Sequence, residues 1–184
     1  MRKLKLQMQT TVDGFVAGPN GELDWMTFDM DEKLLAFINH LTDTSDTILL
    51  GRKMAEGFTT YWEKSAAQPS PEYEFAQKMV NIPKVVFSGT VKSVTGKNVR
   101  VENGPLVDAV NALKNEPGKD IVVYGGATFV SSLIRNRLID ELNFFVNPVA
   151  IGDGKKVFAQ RTPMSLVKST AYASGIVVNT YAPR

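Results

Sequence analysis

Apolar residues along the chain are grouped in short runs separated by amphipathic segments. Residues 47–50 and 84–88 are two mainly apolar runs. Residues 121–124 form a third, mostly β-branched or aromatic and without polar alternation. Uninterrupted runs of this length are typical of strands covered on both faces. Residues 4–9 alternate apolar and polar positions, a period of two that also predicts a strand.

The segments between these runs have helical spacing. In the clearest one, which ends near residue 42, four apolar residues share one helical face: Leu34, Phe37, Ile38 and Leu41. Asp29 or Asp31 can cap this helix. Residues 54–58 predict a short helix and residues 59–70 an irregular segment. Prolines at positions 71 and 105 each begin a further predicted helix.

The pattern changes in the last quarter of the chain. Residues 139–149 predict a strand, and residues 151–156 a turn-rich loop. Residues 164–172 and 175–182 predict two final strands joined by a hairpin turn. The order of elements therefore predicts an α/β protein in three layers, with a mostly parallel central sheet, helices on both faces and an antiparallel edge. With 184 residues, one domain spanning positions 1–184 is expected.

Composition narrows the possible functions. The chain has no cysteine, which excludes disulfides, thiolate metal sites and cysteine nucleophiles. Its net charge is only +2, so nothing favours nucleic-acid or membrane binding. His40 is the only histidine and lies on the predicted first helix, so neither nucleophilic catalysis nor a metal site is expected. Because the N-terminus lacks the apolar core of a signal peptide, a cytoplasmic protein is expected.

Three predicted strands end in glycine followed or preceded by polar or cationic residues. These ends are Gly51, Arg52 and Lys53; Ser88, Gly89 and Thr90; and Gly125, Gly126, Ala127 and Thr128. Parallel strands would bring them to one edge of the sheet, where α/β proteins bind ligands. Backbone amides, cations and hydroxyls suit a phosphate-rich cofactor. The alternative is three independent turns, and the double glycine alone fits a tight connection equally well.

Acidic residues give a weaker indication of catalytic chemistry. Asp24, Asp29, Asp31 and Glu32 occur close together, and such a cluster could hold one general acid with a raised pKa. Helix capping explains most of the four equally simply.

Five segments, in this order and at this spacing, are similar to those of a known family. They are Thr-Val-Asp-Gly-Phe-Val-Ala at 11–17, Trp25, Leu-Leu-Gly-Arg-Lys-Met at 49–54, Val-Tyr-Gly-Gly-Ala at 123–127 and Pro-Val-Ala-Ile-Gly-Asp-Gly at 148–154. The chain resembles the dihydrofolate reductase superfold, and more closely the reductase domain of the bifunctional riboflavin-biosynthesis deaminase/reductase. The resemblance covers essentially the whole chain.

This resemblance implies a reductase that binds NADPH. The residues implied to hold the cofactor's phosphates and adenosine end are Arg52, Lys53, Ser88, Gly89 and Thr90. Those implied at its pyrophosphate are Gly125, Gly126, Ala127 and Thr128, and those beside its nicotinamide are Val16, Ala17 and Gly18. The two cations would favour the 2′-phosphate of NADP over NAD. Asp13 or Asp31, or an ordered water, is the expected proton donor.

The sequence also departs from the family pattern. Met54 stands where a threonine is common, which removes a hydroxyl from the phosphate site. The segment before Asp31 lacks the proline-rich motif of folate enzymes, which argues against folate reduction. The expected substrate is a small pyrimidine- or pterin-like heterocycle, with 5-amino-6-(5-phosphoribosylamino)uracil reductase as the most similar activity. A binding module of the same fold without turnover is the alternative. A homodimer formed through sheet edges is also expected.

Overall fold

The computed structural model describes residues 1–27 and 30–184, which contain eight strands and five helices. In chain order they are β1 (Leu4–Thr11), α1 (Glu32–Asp43), β2 (Ser45–Gly51), α2 (Arg52–Ser65), α3 (Tyr73–Asn81), β3 (Lys84–Phe87), β4 (Val99–Glu102), α4 (Leu106–Asn115), β5 (Asp120–Gly125), α5 (Ala127–Arg135), β6 (Glu141–Asn147), β7 (Met164–Ala171) and β8 (Val177–Pro183).

All eight strands form one sheet in the order β4-β3-β2-β5-β1-β6-β8-β7. The first six strands in that order are parallel to their neighbours. β8 pairs antiparallel with both β6 and β7, and β7 is the edge strand on this side of the sheet. The predicted fold class is therefore confirmed, and the carboxyl ends of β3, β2, β5 and β1 lie side by side at one edge.

Helices cover both faces of this sheet. On one face, Leu6 and Val123 belong to an apolar cluster with Val110 of α4 and with Val130 and Leu133 of α5. On the other face, apolar strand residues form two clusters, one with α2 and α3 and one with α1. Burial on both faces explains why the strands at the centre of the sheet read as unbroken apolar runs.

Helix α2 is longer than its sequence suggests. It runs from Arg52 to Ser65, so the prediction of an irregular segment from residue 59 is wrong over its first seven positions. Gly57 and adjacent threonines weaken the local helical signal. Packing compensates, because Ala55, Phe58 and Thr59 are buried and the Phe58 ring lies 5.7 Å from that of Tyr124 on β5. The helix is thus stabilised mainly by tertiary contacts.

Helix α1 begins as expected. The carboxylate of Asp31 accepts the backbone N–H of Leu34 at 2.9 Å and so caps the helix. Asp29, the other candidate cap, lies outside the described residues. None of the helices within residues 1–27 and 30–184 combines the length and the apolar character needed to cross a membrane.

Candidate functional site

Two glycine turns touch each other at the carboxyl edge of the sheet. A Cβ built on Gly51 would lie 2.7 Å from the Cβ of Phe129, and one built on Gly126 would lie 3.4 Å from the Cα of Gly51. Gly126 also has a φ of 80°, a left-handed conformation that glycine adopts without strain. The β2–α2 and β5–α5 connections can pack this closely only because neither turn carries a side chain.

Two helices begin immediately after these glycines. Neither α2 nor α5 has a side-chain cap or an acidic residue in its first turn. The first amides of each helix therefore lack intrahelical acceptors, and the positive ends of two helix dipoles are not offset by a carboxylate. Arg52 and Lys53, both exposed, add positive charge to the start of α2, where cations are normally unfavourable. This concentration of positive charge suits an anion.

Met54 occupies the space above the double glycine. Its sulfur would lie 3.0 Å from a Cβ built on Gly125. The residue that replaces the family's threonine thus packs against the β5 turn and contributes an apolar contact instead of a hydroxyl.

The turn after β3 lies next to the β2 turn, since Phe87 pairs with Gly51 in the sheet. The hydroxyl oxygen of Ser88 accepts the backbone N–H groups of Thr90 and Val91 at 3.1 and 3.0 Å. Ser88 therefore shapes its own turn, while Gly89 and Thr90 are exposed. The three strand ends singled out in the sequence are neighbours at one edge of the fold.

The loop after β1 is held against the segment that follows β6. Ala17 and Lys155 form an antiparallel bridge, in which Val16 N–H donates to the Lys155 carbonyl at 2.9 Å and Lys155 N–H to that of Ala17 at 2.8 Å. A side chain on Gly154 would collide with the Ala17 carbonyl oxygen. Val16, Ala17 and Gly18 are buried, so this loop has a defined position at the end of β1.

Asp13 also links the loop after β1 to the segment that follows β6. Its carboxylate accepts the Thr11 hydroxyl at 2.6 Å and the backbone N–H groups of Gly152 at 2.8 Å and Ile151 at 3.1 Å. The Thr11 hydroxyl, followed by those amides, holds the pKa of Asp13 below its ordinary value. Asp13 is thus an ionised acceptor at neutral pH that ties the first loop to residues 151–152.

Asp31 makes a comparable link. Besides capping α1, its carboxylate accepts the backbone N–H of Ala173 at 2.7 Å, which fixes the helix to the β7–β8 hairpin. The Leu34 amide, with a further contribution from that of Ala173, lowers the pKa of Asp31. Both predicted catalytic acids therefore use their oxygen atoms as acceptors for groups of the chain itself.

Carboxamides at the ends of β1 and β6 were not singled out from the sequence. The fully buried Asn147 donates to the side-chain oxygen of Gln9 at 2.7 Å and accepts the backbone N–H of Thr27 at 3.2 Å. The buried side-chain oxygen of Gln7, two residues earlier on β1, has no hydrogen-bond partner among the described residues. The glutamines at positions 7 and 9 of β1 were the available signal, but a polar residue in a strand more often faces solvent.

A basic groove beside α5 was also missed. This α5 groove has a volume of about 360 Å³ and is lined by Ala127, Thr128, Ser131, Arg135, Lys155 and Lys156. Only the first two residues belonged to the predicted site. The others come from the outer face of α5 and from the loop after β6, which are brought together by the fold. Among residues 1–27 and 30–184, no group of three or more histidine, cysteine, aspartate or glutamate residues is arranged to hold a metal ion.

The eight-stranded sheet, its order and its flanking helices are those of a dihydrofolate-reductase-like reductase domain. The chain belongs to the RibD C-terminal domain family, whose model matches residues 2–178. The resemblance found in the sequence is thereby confirmed. A relative from Bacillus subtilis (strain 168), the uncharacterized protein YyaP, is 35% identical over 183 residues, which cover 98% of this chain and 94% of YyaP.

Solved structures show the same fold. A putative riboflavin biosynthesis protein from Shewanella sp. PV-4 superposes with a TM-score of 0.71 at 23% identity, over 100% of this chain and 99% of that one. A diaminohydroxyphosphoribosylaminopyrimidine deaminase/5-amino-6-(5-phosphoribosylamino)uracil reductase from Thermotoga maritima gives 0.69 at 16% identity, over 100% of this chain and 57% of that one. At such identities the likeness shows the fold alone.

Proposed function

We propose that this chain is an NADPH-dependent reductase of a small nitrogen heterocycle, most similar to the 5-amino-6-(5-phosphoribosylamino)uracil reductase named for the Thermotoga protein. Membership of the RibD C-terminal domain family supports a reductase-type function. The observation that carries the proposal is the contact between Gly51 and Gly126, with two uncapped helices starting beside it. We also propose a cytoplasmic location.

The residues at this edge fit the cofactor. A dinucleotide phosphate needs amide donors, cations and room for close approach of the backbone. In this proposal the pyrophosphate is held at the turn formed by Gly125, Gly126, Ala127 and Thr128. The 2′-phosphate and adenosine end are held by Gly51, Arg52, Lys53, Ser88, Gly89 and Thr90, and the nicotinamide lies beside Val16, Ala17 and Gly18. When bound, NADPH would supply the hydride.

Proton donation needs a group that carries a proton at neutral pH. Asp13 and Asp31 both have a lowered pKa and accept hydrogen bonds from the chain, so each is ionised near pH 7. We therefore assign the donation to an ordered water, with Asp13 and Asp31 as positioning residues for the loop and the helix beside the substrate.

The substrate is proposed to contain a lactam-type ring. Gln9 places a half-buried carboxamide near the carboxyl end of β1, where the fully buried Asn147 of the neighbouring strand β6 holds it in position. A carboxamide both donates and accepts hydrogen bonds, as the N–H and C=O groups of a pyrimidinone require.

A second function is a ligand-binding module without turnover. The engagement of Asp13 and Asp31 as structural acceptors favours it, because neither of these two predicted acids is left as a proton donor. The two functions differ in one measurable property, which is steady-state oxidation of NADPH in the presence of an acceptor.

The proposed function is tested by comparing the wild type with the double variant Arg52→Gln/Lys53→Gln. We expect the wild type to bind NADPH and to oxidise it with a substrate that contains a pyrimidinone ring, such as 5-amino-6-(5-phosphoribosylamino)uracil. The variant should bind NADPH about 10–100-fold more weakly, because two charge-assisted contacts are lost, with little change for NADH. Fluorescence titration and absorbance at the reduced nicotinamide band measure both quantities.

The outcomes separate the candidate functions. Binding without oxidation across a panel of pyrimidinones and pterins would select the binding module. Failure of the wild type to bind either cofactor below about 1 mM would refute the reductase function and the assignment of the glycine turns to a dinucleotide. Lys64→Gln removes a cation from the opposite end of α2 and serves as the matched control.

We propose that the chain forms a homodimer through β7. This strand ends the sheet, pairs with β8 alone among the described strands, and exposes Leu166 (58%) and Val167 (65%). An edge strand with exposed apolar residues is normally covered by a partner.

Replacing both residues, Leu166→Lys/Val167→Lys, is expected to convert the dimer to a monomer. Two lysines at the centre of an apolar contact would weaken association by about 100-fold or more. Light scattering across a dilution series measures the change. Leu35→Lys, on the exposed face of α1, should leave the mass unchanged. A wild type that is monomeric at all concentrations would contradict the proposal.

A further inference from the structure

Three arginines converge on a small pocket at the end of α5. This arginine pocket has a volume of about 60 Å³, and its walls include Arg137, Arg161, Arg184, Ile134, Ile139 and Leu142. Within the part of the chain that the structure describes, no aspartate or glutamate lies within ion-pair distance of the three guanidinium groups. The negative end of the α5 dipole amounts to about half a unit charge and offsets only a fraction of theirs. Like charges gathered on one concave surface without a counter-charge point to an anionic ligand.

The arginine pocket lies at the opposite end of the sheet from the glycine turns. Ile139 precedes β6 and Leu142 is the second residue of that strand. The glycine turns, in contrast, follow the carboxyl ends of strands that run parallel to β6. Because β6 has seven residues, about 20 Å separate the two ends of the sheet at this point. The pocket is therefore distinct from the proposed cofactor and substrate site.

Arg137 occupies a backbone position that normally favours glycine. Its φ is 54°, and among the described non-glycine residues only Asn98 also has a positive φ. The N–H of Arg137 donates to the carbonyl of Ile134 at 3.0 Å. The N–H of Leu138 donates to the carbonyl of Leu133, also at 3.0 Å, so that α5 ends in a Schellman turn. Glycine is the usual residue at this point of the turn because a side chain is strained there, so the chain keeps an arginine at a position where it is unfavourable for folding.

Hydrogen bonds hold the opposite wall of the pocket in place. The side-chain Nε of Arg184 donates to the Ser165 hydroxyl at 2.8 Å, and its backbone N–H donates to the Pro163 carbonyl at 3.3 Å. The Thr162 hydroxyl donates to the Gln160 carbonyl at 3.1 Å. The segment from 160 to 163, which contains the second arginine, is thereby fixed to the end of β8. The pocket thus has two defined walls, one from α5 and one from the segment before β7.

We propose that the arginine pocket binds a small carboxylate that carries a short aliphatic tail. A guanidinium presents a planar pair of N–H donors, which matches the two oxygens of a carboxylate. Ile134, Ile139 and Leu142 are buried whereas the arginines are exposed, so apolar surface lies inside the pocket and the charges lie at its mouth. A volume of about 60 Å³ holds a tail of about two or three carbon atoms, at about 30 Å³ for each water-sized group. A strongly hydrated ion such as phosphate would lose water against this apolar wall without gaining a hydrogen bond there.

The proposal is tested by titrating butyrate into the isotope-labelled full chain and following the backbone amide signals by NMR. We expect a Kd of about 0.1–5 mM, with the largest shifts in residues 134–142 and 160–164. Formate, which has no tail, should bind at least about tenfold more weakly. Arg137→Gly and Arg161→Gln should each weaken butyrate binding by about tenfold or more. Arg137→Gly should do so without lowering the melting temperature, because glycine adopts the turn conformation without strain.

Arg135→Gln is the matched control, because it removes the same charge from the last turn of α5 outside the pocket and should bind butyrate like the wild type. The proposal is overturned if the wild type binds no butyrate up to about 50 mM, or if the two pocket variants bind it within about twofold of the wild type. It is also overturned if formate or inorganic phosphate binds as tightly as butyrate, since the apolar wall would then contribute nothing. The site goes beyond the proposed function, and these outcomes do not depend on whether the chain binds or oxidises NADPH.

Discussion

Replacing Gly126 with valine is expected to abolish NADPH binding, with affinity reduced by about 100-fold or more. Gly126 has a φ of 80°, which a β-branched residue adopts only with strain. Its Cβ would also lie 3.4 Å from the Cα of Gly51 and 3.6 Å from the Cβ of Phe129. The two touching turns would have to separate, which moves the first amides of α2 and α5 away from the positions where they can serve one ligand.

The same change should lower the free energy of unfolding by about 1–3 kcal/mol. Fluorescence titration measures binding, and urea unfolding measures stability. Gly57→Ala is the matched control, because Gly57 lies inside α2 and a Cβ there has no neighbour within 4 Å. That variant should bind NADPH normally and gain about 0.5–1 kcal/mol of stability.

A milder variant keeps this prediction testable if the valine protein does not fold. Gly126→Ala retains the strained φ but adds only one carbon atom, so we expect an intermediate loss of affinity. If a folded Gly126→Val protein bound NADPH as the wild type does, the paired glycine turns would not be the cofactor site.

The sheet could be predicted because its strands carry a strong local signal. Residues 121–123 are buried, and Tyr124 half-buried, in a sheet covered by helices, so their apolar run reflects their environment directly. The glycines at 125 and 126 mark the turn because no other residue suits their conformations. Once the strands are parallel and adjacent, the proximity of the Ser88, Gly51 and Gly126 turns follows from topology alone.

The remaining features depend on contacts between distant parts of the chain. Sequence alone does not reveal that Asp13 accepts amides from residues 151–152, or that Asp31 accepts one from the β7–β8 hairpin. Because of those contacts, the two carboxylates are ionised and accept hydrogen bonds from other parts of the fold. The α5 groove depends likewise on the placement of Lys155 opposite Arg135, which are twenty positions apart and belong to different elements.

Another contact of this kind supports the turn after β3. Lys84, the first residue of β3, is only 2% exposed, and its ammonium donates to the carbonyls of Met79 at 2.8 Å, Val80 at 2.9 Å and Ile82 at 2.7 Å. These carbonyls lie at the end of α3, where a helix has no internal donors. Lys84 therefore closes α3 and fixes the start of the strand that leads to Ser88.

Lys84→Met is expected to lower the free energy of unfolding by about 2–4 kcal/mol at pH 7. Methionine fills a similar volume and removes the cost of burying a charge. However, each of the three carbonyls left without a donor costs about 1–3 kcal/mol, and the sum exceeds that relief. Urea unfolding measures the loss. Lys64→Met, at an exposed position of α2, should change stability by no more than about 0.5 kcal/mol.

The size of this loss should depend on pH, because burial lowers the pKa of Lys84 from 10.5 to about 8. Between these two values the folded protein has released a proton that the unfolded chain still holds. Stability therefore rises with pH in this interval, and only for a protein that has the lysine. The difference between wild type and Lys84→Met should consequently be constant below pH 8 and grow from pH 8 towards pH 10.5. A difference that stays constant from pH 8 to pH 10.5 would mean that the three carbonyls stabilise the ammonium at least as strongly as burial disfavours it.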